Sequence, residues 1–280
     1  MSAAGRLVVC PTPIGNLDDV TPRVLEALRG ADVVACEDTR RTQVLLDRYG
    51  VRAAALVSYH EHNERARATE LVERIAGGAV VALVSDAGMP GVSDPGWVLV
   101  RGCADAGLRV EVLPGPSAVD VALVVSALPA DRWAFVGFLP RKAGELARVW
   151  AMPLTVVAFE SPRRLGASLA SLATVDPDRP VAVCRELTKV HEEVVRGRAA
   201  DLAARWASVA PRGEIVVVVA PGPAGAADSE RAVAAVEALV AAGARARAAA
   251  GVVAELTGVA ANQLYREVAA SSSRPGRSGR

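Results

Sequence analysis

The chain has 280 residues, of which 51% are hydrophobic and 22% charged, a balance that is typical of globular proteins and excludes a disordered or fibrous chain. The 32 Lys and Arg residues nearly cancel the 31 Asp and Glu residues, so the net charge of +1 gives no global attraction to nucleic acids or membranes, and any such site must be local. Aromatic residues make up 4% of the chain, which argues against a wide platform for stacking single-stranded bases.

The cysteines and the start of the chain indicate the compartment. Cys10, Cys36, Cys103 and Cys184 form no CxxC or Cys/His cluster, so we expect buried free thiols and no metal site. The chain begins without the charged segment and the cleavable apolar stretch of a signal peptide. Its longest apolar runs have the length of strands rather than of membrane spans. We therefore predict a cytoplasmic protein without a membrane partner.

Short apolar runs rich in β-branched residues alternate with amphipathic stretches in the first half of the chain. This pattern predicts an α/β fold with mostly parallel strands buried on both faces. Strands are expected at residues 6–10, 33–36, 55–57, 80–85 and 110–113. Helices are expected at residues 21–30, 42–49, 63–76 and 96–106, and a turn with a further helix lies within residues 114–129.

A break at residues 129–132 marks a domain boundary, after which a second α/β series begins. Its strands are expected at residues 134–137, 154–159, 181–185, 193–198 and 214–220, and its helices at 163–173 and 200–210. A Gly/Pro/Ala linker at 221–227 precedes helices at 229–242, 245–256 and 261–270. We predict an N-terminal α/β domain at residues 1–128, a C-terminal α/β domain at 129–222, a helical accessory segment at 223–270 and a disordered basic tail at 271–280. The cleft between the two α/β domains is the expected ligand site.

Polar loops follow the first two strands, and such loops line the ligand crevice of parallel sheets. PTPIGNL, residues 11–17, contains neither GxGxxG nor GxxxxGK[ST], which argues against an ordinary dinucleotide or P-loop site; a rigid turn is the structural alternative. EDTRRT, residues 37–42, begins with Glu37 directly after an apolar run and can position a polar substrate or do general acid–base work. Alternatively, Asp38 or Thr39 caps the helix that follows.

The segment SYHEHNE, residues 58–64, holds two of the three histidines. His60 and His62 have the spacing of metal ligands only on a strand, and no third histidine is nearby. We therefore prefer a contact of this segment with a ribose or phosphate, and a helix N-terminal cap is the alternative.

The loop SDAGMPGVSDPG, residues 85–96, is the most informative segment. A buried strand ends beside Asp86 and opens a loop dense in Gly and Pro, which permits close approach of backbone to a ligand while the loop stays stiff. The Asp86 carboxylate can accept a hydrogen bond from a ribose hydroxyl or a ligand amino group. A purely structural Ω-like loop is the alternative.

Further charged or polar residues are expected near the cleft. Ser117 is either a helix cap or a ligand contact, and Arg141 with Lys142 is either a phosphate contact or a solvated pair. In the second half, charged side chains that follow two predicted strands are expected to converge: Glu160, Arg163, Arg185, Glu186, Lys189 and His191. They suit a charged, polar substrate, and ion pairing between neighbouring loops would explain them without function.

Nine sequence motifs, which include the segments described above, occur in order along the chain: PTPIGNL, CEDTRRT, SYHEHNE, LVSDAGMPGVSDPG, PGPSA, GFLPRK, FESPRRL, RELTKVHEE and ANQLYREV. Together the chain resembles the tetrapyrrole methylase superfamily, in its branch that methylates small-subunit ribosomal RNA. The resemblance runs from about Leu7 to about Ala270. It implies two α/β domains of tetrapyrrole-methylase type with the cofactor in the interdomain cleft, a small C-terminal helical extension and a homodimer.

The activity that the resemblance implies is S-adenosylmethionine-dependent methylation of the ribose 2′-hydroxyl of a decoding-centre cytidine in bacterial 16S rRNA. The partner is then the 16S rRNA or the small ribosomal subunit. Cofactor contacts are expected at Pro13, Asp86, Met89, Val92, Ser93, Ser117, Ala118, Phe159 and Arg185. Candidates for the proton acceptor are Glu37, Glu160 and Lys189, and the RNA is expected to meet His60 and, through its phosphates, Arg40, Arg141, Lys142, Arg163 and Arg164.

Two departures from the family pattern and two alternatives accompany this interpretation. Met89 stands where many relatives have Thr, so a side-chain hydroxyl contact is absent there, and Asp120 stands where a small residue is common. A superfamily relative that methylates a precorrin-like small molecule or a protein is one alternative function. A non-catalytic RNA-binding protein that kept the fold is the other.

Overall fold

A parallel five-stranded sheet is built from the first half of the chain in the computed structural model, which describes residues 5–222 and 226–272. Its strands are β1 (Arg6–Val9), β2 (Val33–Cys36), β3 (Leu56–Ser58), β4 (Val80–Val84) and β5 (Arg109–Val112), in the order β3-β2-β4-β1-β5. Between them run α1 (Pro22–Arg29), α2 (Thr39–Arg48), α3 (Glu64–Ala76) and α4 (Trp97–Asp105), and α5 (Ala118–Ser126) follows β5. The α/β fold class predicted from the sequence is confirmed.

The three inner strands β1, β2 and β4 are buried on both faces because they consist almost entirely of apolar residues, whereas the edge strands β3 and β5 are only partly buried. In β1, Val8 packs in one core and Leu7 and Val9 in the other, on opposite faces of the sheet. All four cysteines are buried and free, as expected. Burial, with a smaller effect of Glu111, raises the pKa of the Cys10 thiol to about 12, so this thiol is held in its unreactive protonated form.

Side chains from the loops cap the helices that follow the strands. The Thr21 hydroxyl accepts a hydrogen bond from Val24 N at the start of α1, and the Asp38 carboxylate accepts one from Arg40 N at 2.8 Å. Asp38 therefore caps α2, the structural alternative considered for this segment, and the helix starts at Thr39 rather than at residue 42. Ser117 caps α5 by accepting from Asp120 N at 3.4 Å.

The second half of the chain forms a mixed sheet, so the expectation of mostly parallel strands is wrong there. Its strands are β6 (Trp133–Phe138), β7 (Thr155–Glu160), β8 (Pro180–Arg185), β9 (Glu193–Arg198) and β10 (Ile215–Val219), in the order β6-β7-β10-β8-β9. Only β6 and β7 pair in parallel. The physical reason is the connection: β8 turns back into β9 over a short loop, and the last strand inserts antiparallel between β7 and β8.

Three helices accompany the second sheet: α6 (Ala143–Trp150), α7 (Leu165–Val175) and α8 (Ala199–Arg205). The sequence analysis did not predict α6, which is short and begins without a side-chain cap, although Leu146, Val149 and Trp150 bury its apolar face. The helix expected to extend to residue 210 ends at Arg205.

Helix α5 lies at the junction of the two halves. Val119, Ala122 and Leu123 pack on the face of the second sheet, against apolar residues of β7, β8 and β10. Helix α5 precedes the boundary predicted after residue 128, so it belongs to the first half by sequence. By its packing it belongs to the second half.

Three C-terminal helices form a separate cluster: α9 (Ala226–Ala241), α10 (Ala246–Thr257) and α11 (Ala261–Ser272). Their buried apolar residues, among them Val236, Val253 and Leu264, pack on one another. Helix α9 begins inside the predicted linker, and α11 extends two residues into the predicted disordered tail, of which residues 273–280 lie outside the described residues. Within residues 5–222 and 226–272, no helix combines the length and apolar character needed to cross a membrane.

Candidate active site

The carboxyl ends of β1 and β4 carry two loops that are joined to each other. Thr12 and Gly88 exchange two backbone hydrogen bonds of 2.9 Å, and the Thr12 hydroxyl donates to the Ser85 carbonyl at 2.9 Å. Gly88 has a φ of 78°, which a residue with a side chain rarely adopts. The Gly/Pro-rich loop is therefore held in one conformation against the loop that follows β1.

The corresponding edge of the second sheet faces these loops. Ile215, the first residue of β10, lies opposite both Glu160 at the end of β7 and Arg185 at the end of β8. The register thus brings the two strand ends to the same edge, as the sequence analysis expected. The Asn16 amide donates to the Thr188 hydroxyl at 3.1 Å, which joins the first loop of the chain to the loop after β8.

A cavity of about 350 Å³ lies between the two halves, a size that suits a small-molecule ligand. The first half contributes Ile14, Ala87, Gly88, Met89, Val92, Ser93, Asp94, Ser117, Ala118 and Val119. The second half contributes Phe138, Phe159, Glu160, Ser161, Pro162, Gly213, Glu214, Ile215 and Val216. The walls are mainly apolar, and a few carboxylate and hydroxyl groups are set into them.

Most of the predicted cofactor residues lie on this cavity: Met89, Val92, Ser93, Ser117, Ala118 and Phe159. Pro13, Asp86 and Arg185 do not line it. Pro13 and Asp86 border a smaller neighbouring cleft of about 60 Å³. The Arg185 guanidinium instead binds the Glu193 carboxylate at 3.0 Å and the Arg212 carbonyl at 3.2 Å.

The Asp86 carboxylate links the loops after β2 and β4. It accepts a hydrogen bond from the Asp38 amide at 3.0 Å, and Arg41 Nη1 lies 3.2 Å from its other oxygen. Both oxygens therefore have partners within the protein.

The Glu160 carboxylate is fully buried and is surrounded by donors. It accepts hydrogen bonds from the Ser161 amide at 2.7 Å and from the Ser168 hydroxyl, and Arg164 Nη1 lies 3.4 Å away. Arg164 also donates to the Leu139 and Pro140 carbonyls at 3.1 and 2.8 Å. Glu160 and Arg164 thus hold the segments after β6 and β7 together.

The other two predicted proton acceptors lie beside the cavity rather than on it. Burial, followed by the charge of Asp86, raises the pKa of the half-buried Glu37 above its usual value. The Lys189 ammonium donates to Glu186 at 3.0 Å and to Glu214 at 2.8 Å. Burial alone would lower the pKa of Lys189, but these two carboxylates raise it, so Lys189 stays protonated near neutral pH.

The predicted RNA-contacting residues differ in exposure. Arg40, Arg141, Lys142 and Arg163 are exposed, and the Lys142 ammonium lies 3.2 Å from Glu145. His60 is half-buried, and within the described residues its Nδ1 is buried without a hydrogen-bond partner. Asn63 accepts from the His60 amide at 2.8 Å, so this segment includes a side-chain turn at the start of α3. In the described part of the chain no cluster of three His, Cys, Asp or Glu side chains suits a metal ion.

Three cavity residues with evident chemical character were not predicted from the sequence: Phe138, Asp94 and Glu214. Phe138 lines the cavity, is 62% exposed and contacts the Phe159 ring edge-to-face at 5.5 Å. Asp94 lines the cavity as well, at the end of the Gly/Pro-rich loop. The sequence carries a signal for Asp94, because it is the second acidic residue of SDAGMPGVSDPG, although Asp86 lies closer to the strand end.

The family model described as Tetrapyrrole (Corrin/Porphyrin) Methylases matches residues 6–203, which is well over half of the chain. The chain belongs to the tetrapyrrole methylase family. It is 48% identical over 274 residues to a ribosomal RNA small subunit methyltransferase I from Mycobacterium tuberculosis, covering 95% of each chain. It is 41% identical over 218 residues to the protein of that name from Thermotoga maritima, covering 77% of this chain and 98% of the other.

A solved tetrapyrrole methylase shares the fold. The uroporphyrin-III C-methyltransferase from Thermus thermophilus, solved in complex with S-adenosylhomocysteine, superposes with a TM-score of 0.54 at 20% identity, covering 76% of this chain and 97% of that one. The expected family membership and the tetrapyrrole-methylase fold are confirmed.

Proposed function

We propose that this tetrapyrrole methylase transfers a methyl group from S-adenosylmethionine to the ribose 2′-hydroxyl of a decoding-centre cytidine in 16S rRNA. The observation that carries the proposal is the 48% identity, over 95% of both chains, to a protein named ribosomal RNA small subunit methyltransferase I. Three further parts of the proposal are a small-ribosomal-subunit substrate, a cytoplasmic location and a homodimeric state.

The cavity supports S-adenosylmethionine as the donor. A volume of about 350 Å³ with mainly apolar walls suits a nucleoside that carries an amino-acid tail. Met89, Val92 and Phe159 provide apolar contacts, and the hydroxyls of Ser93 and Ser117 can hydrogen-bond the polar groups. The bound donor supplies a methyl group that its sulfonium has already activated. The protein then has to orient the acceptor oxygen and help remove its proton.

Exposed cations near the cavity support RNA as the acceptor. Arg141 and Lys142 come three and four residues after Phe138, which lines the cavity, and Arg163 follows Pro162, which lines it too. With Arg40 they can bind phosphates and so position one nucleotide over the cavity. In this proposal three of the expected cofactor residues do not contact the donor and instead support the loops around the cavity: Pro13, Asp86 and Arg185.

The first test is transfer of labelled methyl from S-adenosylmethionine to small ribosomal subunits from a strain that lacks this gene, with the modified nucleotide mapped. Label on a cytidine ribose in the decoding region is the expected result. Label on a porphyrinogen or a protein acceptor instead would identify one of the alternative enzymes, and RNA binding without any transfer would identify the non-catalytic alternative.

Glu160 is a proposed positioning residue, since its carboxylate holds Ser161, Ser168 and Arg164 rather than pointing free into the cavity. Glu160→Gln removes the charge that faces Arg164, so we expect loosening of the 160–164 segment and about a tenfold loss of methyl transfer. Transfer at the wild-type rate by a folded Glu160→Gln protein would contradict this role.

The homodimeric state is the part of the proposal that rests on the resemblance to the family. Light scattering of the purified chain should give twice its mass of 28.9 kDa. The mass of a single chain at micromolar concentration would remove this part of the proposal.

A further inference from the structure

Among the residues that the structure describes, three acidic side chains line the cavity: Asp94, Glu160 and Glu214. A group that accepts a proton during catalysis needs a free lone pair directed at the substrate. It must also be deprotonated at the working pH, so its pKa should lie near or below that pH. The three carboxylates differ clearly in how far their oxygens are already occupied.

Two of these carboxylates are neutralised by cations within hydrogen-bonding reach. Glu160 accepts from the Ser161 amide and the Ser168 hydroxyl and lies 3.4 Å from Arg164. Glu214 accepts a hydrogen bond from the Lys189 ammonium at 2.8 Å. Both therefore have cationic partners that already occupy oxygen lone pairs which a base would need.

The Asp94 carboxylate has no such counter-charge. No ion pair reaches it from the described part of the chain, and its neighbouring donor is the Ser85 hydroxyl, which also approaches the Gly88 carbonyl at 3.2 Å. Asp94 is therefore the cavity carboxylate with the least satisfied oxygens.

The backbone around Asp94 is held in an unusual conformation. Ser93 has a φ of 62°, in the left-handed region that side chains other than glycine rarely adopt. Gly96 has a φ of 150°, and a Cβ there would lie 3.0 Å from the Gly91 amide nitrogen, so the loop closes tightly on itself. Pro95 restricts the backbone conformation of Asp94, the residue that precedes it. The loop therefore holds the backbone of Asp94 in place beside the cavity.

We propose that Asp94 is the general base of the methyl transfer and takes the proton of the acceptor hydroxyl. The inference rests on the proposed function and deepens it. In the step, the hydroxyl oxygen forms a bond to the methyl carbon while the O–H bond breaks. The electron pair of the broken carbon–sulfur bond remains on the sulfur. The proton moves to the Asp94 carboxylate, which becomes a carboxylic acid and releases the proton to water after the product leaves.

The electrostatic surroundings of Asp94 suit this task. Burial, followed by the charges of Glu37 and Asp86, raises the pKa of Asp94 to about 7, with a smaller opposing effect of the Ser85 hydroxyl and a further raising effect of Glu214. Of the cations on these elements, Arg41 pairs with Asp86 and Lys189 pairs with Glu214, and Arg40 is exposed. A carboxylate with a pKa near 7 is a much stronger base than an ordinary aspartate and is still largely ionised slightly above neutral pH.

The test compares Asp94→Asn with two matched variants. Glu214→Gln changes another carboxylate of the same cavity, and Asp105→Asn makes the same substitution at an exposed residue near the end of α4, where Asp105 pairs with Arg101 at 2.8 Å. For each protein, calorimetry measures the affinity for S-adenosylmethionine. Single-turnover transfer to small ribosomal subunits is followed from pH 5.5 to 8.5.

We expect Asp94→Asn to bind S-adenosylmethionine within about threefold of the wild-type affinity and to transfer methyl about 100- to 10,000-fold more slowly. The wild-type rate should rise about tenfold per pH unit below pH 7 and level off above it, and Asp94→Asn should lose this dependence. Glu214→Gln should lose less than Asp94→Asn and keep an acidic limb, shifted slightly to lower pH because Glu214 helps to raise the pKa of Asp94. Asp105→Asn should match the wild type.

Three outcomes would overturn the inference. One is near wild-type transfer by Asp94→Asn. Another is a loss of donor affinity as large as the loss of rate, which would make Asp94 a cofactor ligand. The third is a wild-type transfer rate that does not fall as the pH is lowered below 7. Absence of transfer to ribosomal RNA by the wild-type protein itself would remove the proposed function and this inference together, and that result is distinct from a defect confined to Asp94→Asn.

A readout that does not need activity protects the test against a misfolded variant. In the wild-type protein, carbon-13 NMR of labelled aspartate carboxyls should show one aspartate that titrates near pH 7. That signal should be absent from Asp94→Asn and present in Asp105→Asn. A wild-type spectrum in which every aspartate titrates below pH 5 would contradict the inference even if no variant could be prepared.

Discussion

At the scale of single residues, the neighbours of each acidic group decide what that group can do. Glu160 ends a strand that faces the cleft, which made it a reasonable candidate for a base, but only the structure reveals the three partners around its carboxylate. Asp94 is the opposite case: the sequence favours Asp86, which closely follows a strand, and the position of Asp94 on the cavity depends on the path of the loop. Residue type was readable from the sequence, and local environment was not.

The raised pKa of Asp94 has a consequence for stability that can be measured. A carboxyl with a usual pKa of 3.8 and a folded-state pKa of about 7 keeps its proton in the folded protein while the unfolded chain loses it, so stability falls as the pH rises through this window. Asp94→Asn removes the ionisation, and we expect it to raise the free energy of unfolding by about 1 to 2 kcal/mol at pH 8. Thermal unfolding measures the effect.

The stabilisation by Asp94→Asn should shrink towards pH 5, where Asp94 is already protonated in the folded protein. Asp105→Asn is the control, and its melting temperature should lack this dependence. An Asp94→Asn protein that is less stable than the wild type at pH 8 would show that the ionised carboxylate is not destabilised by its surroundings.

At the scale of elements, loops after strands of different sheets contact one another. The loop after β1 approaches the loop after β8 so closely that a Cβ on Gly15 would lie 2.5 Å from Lys189 Cγ and 2.9 Å from the Leu187 carbonyl oxygen. The sequence around Gly15 suits a ligand loop or a rigid turn, and the structure adds a contact between the two halves.

Substitution of Gly15 tests the importance of this contact. Gly15→Ala should force the loops apart and lower the free energy of unfolding by about 1 to 3 kcal/mol. Binding of S-adenosylmethionine should weaken as well, because Ile14 of the first loop lines the cavity. Urea unfolding and calorimetry measure the two effects.

Gly144→Ala in α6 is the matched control, since a Cβ there meets no atom within 4 Å. In a helix this change should leave stability equal or raise it by up to about 1 kcal/mol. If Gly15→Ala and Gly144→Ala had the same free energy of unfolding and the same affinity for S-adenosylmethionine, the loops would be able to move apart without loss of stability.

At the scale of the whole molecule, the C-terminal helices are the part that depends least on the two sheets. Helices α9, α10 and α11 bury Val236, Val253 and Leu264 against one another in a small core of their own. By the resemblance to the family, these helices form an accessory unit for RNA docking, and this role stays a proposal.

Truncation after residue 222 separates this unit from the two sheets. We expect the shortened protein to keep its fold and its affinity for S-adenosylmethionine, because the cavity residues all lie before residue 217. Its kcat/KM for methylation of small ribosomal subunits should fall at least about tenfold through a weaker KM, since only contacts to the RNA are lost. Full activity of the truncated protein on ribosomal particles would refute the docking role.

The sequence alone determined the α/β class, most strands of both sheets, the cleft with its Gly/Pro-rich loop and, through nine ordered motifs, the family. These features depend on hydrophobic periodicity, on turn residues and on motifs, which are local properties of the chain. Only the tertiary structure decided that the second sheet is largely antiparallel, that α5 packs on it, that Glu160 is enclosed and that Asp94 reaches the cavity. The reason is that strand pairing, burial and the electrostatic surroundings of a carboxylate arise between residues far apart in sequence, such as Ile215 with Glu160 or Asp94 with Glu37.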